Sequence, residues 1–164
     1  MLSLLSDSFL HGCNVLYDLV RPWANTGCVV VADSYFASVQ AAVRLYRIGL
    51  RFIGTVKTAT KQFPMAYLGT IVMNEGRGDR HGVISRDAEA AGVSLMAYCW
   101  VDRDRRYFIS TCSSLAPGNP CLRWRWTQAD RTTFNAPPVY MEIMVQQPQA
   151  CETYYSACGR IDQH

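Results

Sequence analysis

An aspartate directly follows a short, fully apolar run. Asp33 comes after Cys-Val-Val-Val-Ala at residues 28–32, a β-branched run typical of a strand buried on both faces. Open α/β sheets bind ligands at the carboxyl ends of such strands, and phosphoryl-transfer enzymes hold Mg²⁺ or Mn²⁺ with carboxylates from separate segments. The position of Asp33 therefore favours a metal ligand. One aspartate cannot hold two ions, and a helix-capping or strand-end aspartate is the alternative.

Basic residues form a second group of candidates. Of the 16 lysine and arginine residues, only Lys57 and Lys61 are lysines, and the planar fork of arginine suits phosphate. Arg123 and Arg125 alternate with tryptophans in Arg-Trp-Arg-Trp, residues 123–126, a pattern suited to stacking on or gripping DNA. The alternatives are a solvated loop around the lysines and an edge strand with tryptophans inward and arginines outward.

Hydrophobic periodicity predicts the elements that position these residues. Helical spacing covers residues 14–20, and a strand is predicted at residues 28–32. Ser34 is the predicted cap of a helix that Gly49 ends, and a further strand covers residues 51–57. The strand, helix and strand together favour a right-handed crossover between parallel strands.

The remainder of the chain completes a predicted mixed sheet. Residues 58–92 are predicted to be irregular, with the glycine-rich tract at 74–82 as an exposed loop. Residues 93–100 and 107–111 predict an antiparallel hairpin, and residues 122–126 a half-buried strand at a sheet edge. Two more elements are predicted, a strand at 139–145 and a helix from Pro148 towards residue 161.

Length and composition favour one globular domain. The chain has 164 residues, of which 49% are hydrophobic and 18% charged, so we expect a folded core. No apolar run reaches about 18 residues and no secretory signal is recognised, which predicts an intracellular protein without a membrane partner. The seven cysteines are odd in number and form no CxxC pair, so free thiols are favoured over a zinc site or disulfide framework. We expect no small-molecule cofactor.

Several motifs together resemble the piggyBac transposase family. In that family a strand ends in Asp-(Asn/Ser)-(Tyr/Phe/Trp)-Phe-(Thr/Ala)-Ser, followed by a helix and Gly-Thr-(Val/Cys)-(Arg/Lys). Residues 29–39 and 53–57 match this arrangement. Further matches follow in order, at Phe-Pro 63–64, at the hairpin of residues 97–111, and at Tyr-Tyr and Gly-Arg-Ile-Asp within residues 154–162. The resemblance covers roughly residues 14–164 and leaves residues 1–13 unmatched.

The resemblance implies a ribonuclease-H-like α/β fold, a mixed sheet with flanking helices that we expect to be incomplete at its N-terminus. Family members of this DDE/DDD type use three aspartates and two Mg²⁺ or Mn²⁺ ions to cleave DNA and join its 3′-hydroxyl to a target. Asp33 maps to the second aspartate and Asp162 to the third. The first is expected on an upstream strand that is missing here.

We therefore expect an N-terminally truncated transposase core that acts on double-stranded DNA in the nucleus and is inactive by itself. The alternative is a domesticated, non-enzymatic DNA-binding or interaction module. A homodimer is left open, and target-site preference is not predicted.

Overall fold

The computed structural model describes residues 11–57, 60–71, 76–112, 114–127 and 139–161. At residues 126, 127, 139, 160 and 161 it describes the backbone only. The elements are α1 (His11–Val20), β1 (Val29–Ala32), α2 (Val39–Arg47), β2 (Arg51–Thr55), α3 (Met65–Thr70), β3 (Arg80–Ile84), α4 (Arg86–Ala90), β4 (Met96–Val101), β5 (Arg105–Ser110), β6 (Cys121–Thr127), β7 (Val139–Val145) and α5 (Gln149–Ile161).

Five strands form one mixed sheet in the order β1-β2-β5-β4-β3. β1 and β2 are parallel, with Val29 opposite Arg51 and Ala32 opposite Gly54. The other neighbours are antiparallel. The predicted mixed sheet, its parallel crossover and the hairpin between β4 and β5 are therefore confirmed.

Helices cover both faces of this sheet. Side chains alternate between the faces along each strand, so Phe52 and Ile109 pack with α1, α2 and α3 on one side. Ile53 and Phe108 pack with α5 and β7 on the other. The two buried clusters sandwich the sheet. Among the described helices, none is both long and apolar enough to span a membrane.

Helix α2 begins four residues later than predicted. Its cap is Ser38, whose Oγ accepts a hydrogen bond from Ala41 N at 3.1 Å, and not Ser34. The reason is that residues 33–37 are already used by a turn that closes onto the carbonyl of Asp33. The predicted stop is confirmed, because Gly49 adopts a φ of 73° directly after the helix.

The prediction that residues 58–92 are irregular is wrong, because they contain α3, β3 and α4. Long-range contacts stabilise these elements. Arg105 donates to the carbonyls of Leu68, Gly69 and Ile71 at 2.6–2.9 Å, which satisfies the last turn of α3.

The glycine-rich tract is likewise not all loop, because residues 80–82 pair with β4. Arg80 Nε donates to Leu115 O at 2.8 Å. An added Cβ at Gly82 would lie 2.8 Å from Leu115 Cδ1. Glycine at this position therefore lets the segment around Leu115 approach β3 closely.

Strands β6 and β7 form a separate two-stranded ribbon. The strand predicted at residues 122–126 is confirmed as part of β6, and it lies in this ribbon rather than in the five-stranded sheet. The ribbon packs over the α5 face, with Val145 buried against it. Trp100 Nε1 donates to Gln146 O at 3.0 Å, just after β7.

We predict that Gly54→Ala destabilises the protein by about 1–3 kcal/mol, the usual effect of overpacking. An added Cβ would lie 2.7 Å from Ala37 Cβ and 3.0 Å from the Phe52 ring. Urea unfolding measures the change. Gly159→Ala in α5 is the matched control, because nothing lies within 4 Å of its Cβ position. It should gain roughly 0.5–1 kcal/mol, and equal effects at both positions would contradict this packing.

We also predict that the free energy of unfolding falls as the pH rises above about 9. Burial raises the pKa of Cys151, of Tyr98 and, to about 12, of Tyr155 above their ordinary values of 9.0 and 10.0. The unfolded chain then releases its protons at lower pH than the native state, so alkali favours unfolding.

Denaturant unfolding between about pH 7 and about pH 11 tests this prediction, since the range spans the ordinary thiol and phenol pKa values. Tyr98→Phe should reduce the slope because it removes one of the titrating groups. A free energy of unfolding that stays constant or rises above pH 9 would contradict the prediction.

Candidate active site

Asp33 lies where β1 ends, at the carboxyl edge of the parallel pair. Its side chain is exposed, and its Oδ1 accepts a hydrogen bond from Tyr35 N at 3.0 Å. Its carbonyl accepts from Phe36 N at 3.3 Å and from Ala37 N at 3.0 Å. The carboxylate is therefore oriented by its own turn and accessible to a ligand.

Thr55 ends β2 at the same edge and joins it to α5. Its Oγ1 lies 3.3 Å from the hydroxyl of Tyr154. The Tyr154 ring is buried and makes edge contacts with Phe108 at 5.5 Å and with Tyr155 at 5.3 Å between ring centroids. Burial raises the pKa of Tyr154, and the negative charge of Asp33 contributes in the same direction. Helix α5 is thus docked beside Asp33.

Asp162 lies outside the described residues. Helix α5 ends at Ile161, the residue immediately before it. The structure therefore describes the helix that leads to Asp162 and not its carboxylate. Among the described residues, no three histidine, cysteine, aspartate or glutamate side chains cluster as a metal site would require.

The two lysines lie beside the turn that holds Asp33. Lys57 and Lys61 are exposed and line a cavity of about 280 Å³. Thr60 lines the same cavity, and both its amide and its hydroxyl donate to Lys57 O, at 3.1 and 2.9 Å. The other lining residues are Cys13, Ser34, Tyr35, Phe36, Ala37 and Ser38. Both lysines therefore line one pocket together with the turn that directly follows Asp33.

At residues 123 and 124 the Arg-Trp-Arg-Trp segment has the opposite orientation to the edge-strand alternative, in which tryptophans point inward and arginines outward. Arg123 is partly buried and donates from Nε to Asp102 Oδ2 at 2.9 Å, whereas the Trp124 side chain is 59% exposed. Arg125 is exposed. Burying an arginine in place of a tryptophan costs free energy unless the charge is paired, and Asp102 provides the carboxylate that pairs with Arg123.

Asp102 binds a second arginine as well. Arg77 Nη2 lies 3.7 Å from Asp102 Oδ1, and Arg77 Nε donates to Asp102 O at 2.7 Å. Burial lowers the pKa of Arg123, but the hydrogen bond and charge of Asp102 outweigh it and the pKa lies above its ordinary value. The ribbon is thus connected to the β4–β5 turn through paired charges.

Sequence reasoning assigned no role to Tyr35 or Asp102. Tyr35 is close in sequence to Asp33, so its place in the pocket could have been sought in the turn after that residue. The pairing of Asp102 with Arg123 spans 21 residues, and no local pattern indicates it.

Three comparisons with known proteins bear on this site. A family model described as Transposase IS4 matches residues 4–164. No curated protein matches. Among solved structures, the chain is similar to a cryo-EM structure of the piggyBac transposase synaptic complex with hairpin DNA, with a TM-score of 0.59 and 16% sequence identity. That match covers 96% of this chain but only 27% of the other, and the likeness confirms the mixed α/β fold that the sequence predicted.

We predict that Tyr154→Phe destabilises the protein by about 1 kcal/mol, because it removes the hydroxyl that pairs with Thr55. Thr55→Val should cost a similar amount. If the two groups interact, the double variant should cost less than the sum of the single changes.

Chemical denaturation of the four proteins in this cycle measures the coupling energy. Tyr140→Phe is the matched control, because Tyr140 is 60% exposed on the ribbon, and it should leave the free energy of unfolding unchanged. Strictly additive effects would show that the 3.3 Å contact does not connect α5 to β2.

Proposed function

Because this chain belongs to the Transposase IS4 family, we propose that it supplies part of a catalytic core for metal-dependent DNA cleavage and strand transfer. The observation that supports this most directly is the accessible, oriented carboxylate of Asp33 at the carboxyl edge of β1 and β2. We place the partial catalytic domain at residues 14–164, after a short preceding segment.

The donor chemistry around Asp33 fits a hard divalent cation. Carboxylate and hydroxyl oxygens are the side-chain ligands that Mg²⁺ and Mn²⁺ prefer, and Asp33 is exposed beside Thr55 and Tyr154. We propose that Asp33 and Asp162 hold the ions. When bound, two such ions activate the attacking oxygen and stabilise the leaving one.

These two aspartates leave the core one carboxylate short of the three used by enzymes of this type. In the described residues, β1 pairs with β2 and no strand pairs with its opposite edge. We propose that a strand bearing the third carboxylate pairs with that edge, next to Asp33. Residues 1–164 alone should then lack cleavage activity, because one missing ligand weakens both metal sites.

The remaining charged residues suit a DNA backbone. Lys57 and Lys61 share the cavity beside Asp33, where they would contact phosphates near the scissile bond and so fix the register of the DNA. Arg125 is exposed on the ribbon and would contact a more distant phosphate. Arg123 is paired with Asp102, so we assign it to positioning the ribbon. Double-stranded DNA as the partner implies action in the nucleus.

We predict that Mn²⁺ binds at Asp33. Added Mn²⁺ should broaden the amide NMR signals of residues near Asp33, including Tyr35 and Thr55. Asp33→Asn should lower the affinity by more than about tenfold, because it removes a charged oxygen ligand.

Asp104→Asn is the control, since Asp104 is an exposed carboxylate in the β4–β5 turn, and it should leave Mn²⁺ binding at Asp33 unchanged. Mn²⁺-induced broadening that is the same in Asp33→Asn as in the unchanged protein would contradict the metal-site proposal.

The second candidate function is a domesticated DNA-binding module. Salt-sensitive DNA binding that changes neither with chelator nor with Asp33→Asn would favour it. The exposed lysines and Arg125 would be sufficient for such binding.

A further inference from the structure

We propose that the cavity beside Asp33 is a nucleotide subsite in which Tyr35 stacks on a base while Lys57 and Lys61 bind its phosphate. The inference rests on the proposed function and deepens it, because it names what the DNA places next to the scissile bond. An unpaired nucleotide is implied, since a base inside a duplex has no free face to offer.

Tyr35 is an unusual side chain for an open turn. It is 64% exposed although it is a large aromatic residue, and it lies two residues after the candidate metal ligand. Exposed aromatic rings bind nucleic acid by stacking, because every base presents a flat π-face whatever its identity.

The Tyr35 ring contacts its neighbour in the turn and lies close to α1. Phe36 meets it edge-on, with ring centroids 4.9 Å apart and an angle of 89° between planes. Gly12 of α1 passes beneath it, where an added Cβ would lie 3.6 Å from Tyr35 Cε1 and 2.9 Å from Tyr35 O. These contacts with Phe36 and α1 restrict the ring, and a restricted side chain loses less conformational entropy when a ligand binds.

The backbone of Tyr35 links the platform to the candidate active site. Tyr35 is one of the residues that line the cavity, and its amide donates to Asp33 Oδ1 at 3.0 Å. A base stacked on the ring would therefore occupy a fixed position relative to the carboxylate. Such fixed placement of a reacting group is a major source of catalytic rate.

The other groups that line the cavity suit a phosphate and a sugar. Lys57 and Lys61 provide two cations, and Ser34 and Thr60 provide hydroxyls. The volume of about 280 Å³ is close to the lower limit of pockets that take small organic ligands, roughly 300 Å³. One nucleotide therefore fits better than a longer stretch of DNA.

The test compares deoxyadenosine 5′-monophosphate with deoxyribose 5-phosphate, which lacks the base. Each is titrated into the 164-residue chain in the presence of chelator, and binding is followed by the amide NMR signals of Tyr35 and Ser38. The nucleotide should bind roughly tenfold or more tightly, as expected for one base stacked on an aromatic ring. Tyr35→Leu should abolish that difference, and Tyr35→Phe should retain it.

Two sets of variants separate the base from the phosphate. Lys57→Gln and Lys61→Gln should weaken both ligands by the same factor. Tyr67→Leu is the matched control, because Tyr67 is also an exposed aromatic residue but belongs to α3, and it should bind like the unchanged protein. Each variant is checked for an unchanged overall amide spectrum.

Equal affinity for the two ligands, or a preference that survives Tyr35→Leu, would overturn the proposal. The result does not depend on the metal site, because chelator is present and Asp33→Asn should keep the preference for the nucleotide. If the unchanged protein shows the preference for the nucleotide but binds no Mn²⁺ at Asp33, the proposed function alone is overturned. The reverse result would overturn the subsite alone.

Discussion

The parallel pairing of β1 with β2 is the constraint on which the rest of the candidate site depends. Parallel strands end at the same edge of a sheet, so this pairing brings Asp33 and Thr55 together although 21 residues separate them in the sequence. The crossover helix must then lie close against the sheet. Ala37 contacts the backbone of Gly54, where an added Cβ would lie only 2.7 Å away, and this contact fixes where the turn after Asp33 leaves the sheet.

The opposite face of the sheet positions the elements that arrive later in the chain. Phe108 and Trp100 provide the buried surface for α5 and for the β6–β7 ribbon. The contact between the hydroxyls of Thr55 and Tyr154 fixes the position of α5 against β2. The position of the ribbon depends on the pairing of Arg123 with Asp102. Apolar burial supplies the attraction in both cases, and a few polar contacts select one arrangement.

The sequence was most informative where the determining contacts are local. The β-branched run before Asp33 and the glycine after α2 predict β1, α2 and β2 because each signal lies within its own element. Elements α3 and β3 were missed because their partners, Arg105 and Leu115, lie more than 30 residues away. The inward orientation of Arg123 could not be predicted for the same reason. Alternation in a strand predicts two faces, but it does not show which face meets a carboxylate. The close approach of Gly12 in α1 to Tyr35 is also a long-range contact, and no spacing in the turn reveals it.

The turn from Asp33 to Ser38 carries one further consequence. Within the part of the chain that the structure describes, the hydrogen bonds that orient the Asp33 carboxylate and the cap that starts α2 join residues no more than four positions apart. The orientation of this carboxylate therefore rests on local hydrogen bonds within and just after a six-residue turn, beside a parallel strand pair with a glycine facing Ala37. A protein designer could transplant these six residues onto an unrelated parallel crossover and obtain the same oriented acid. The β6–β7 ribbon could not be transferred in this way, because its orientation depends on contacts with residues distant in the sequence, such as Asp102.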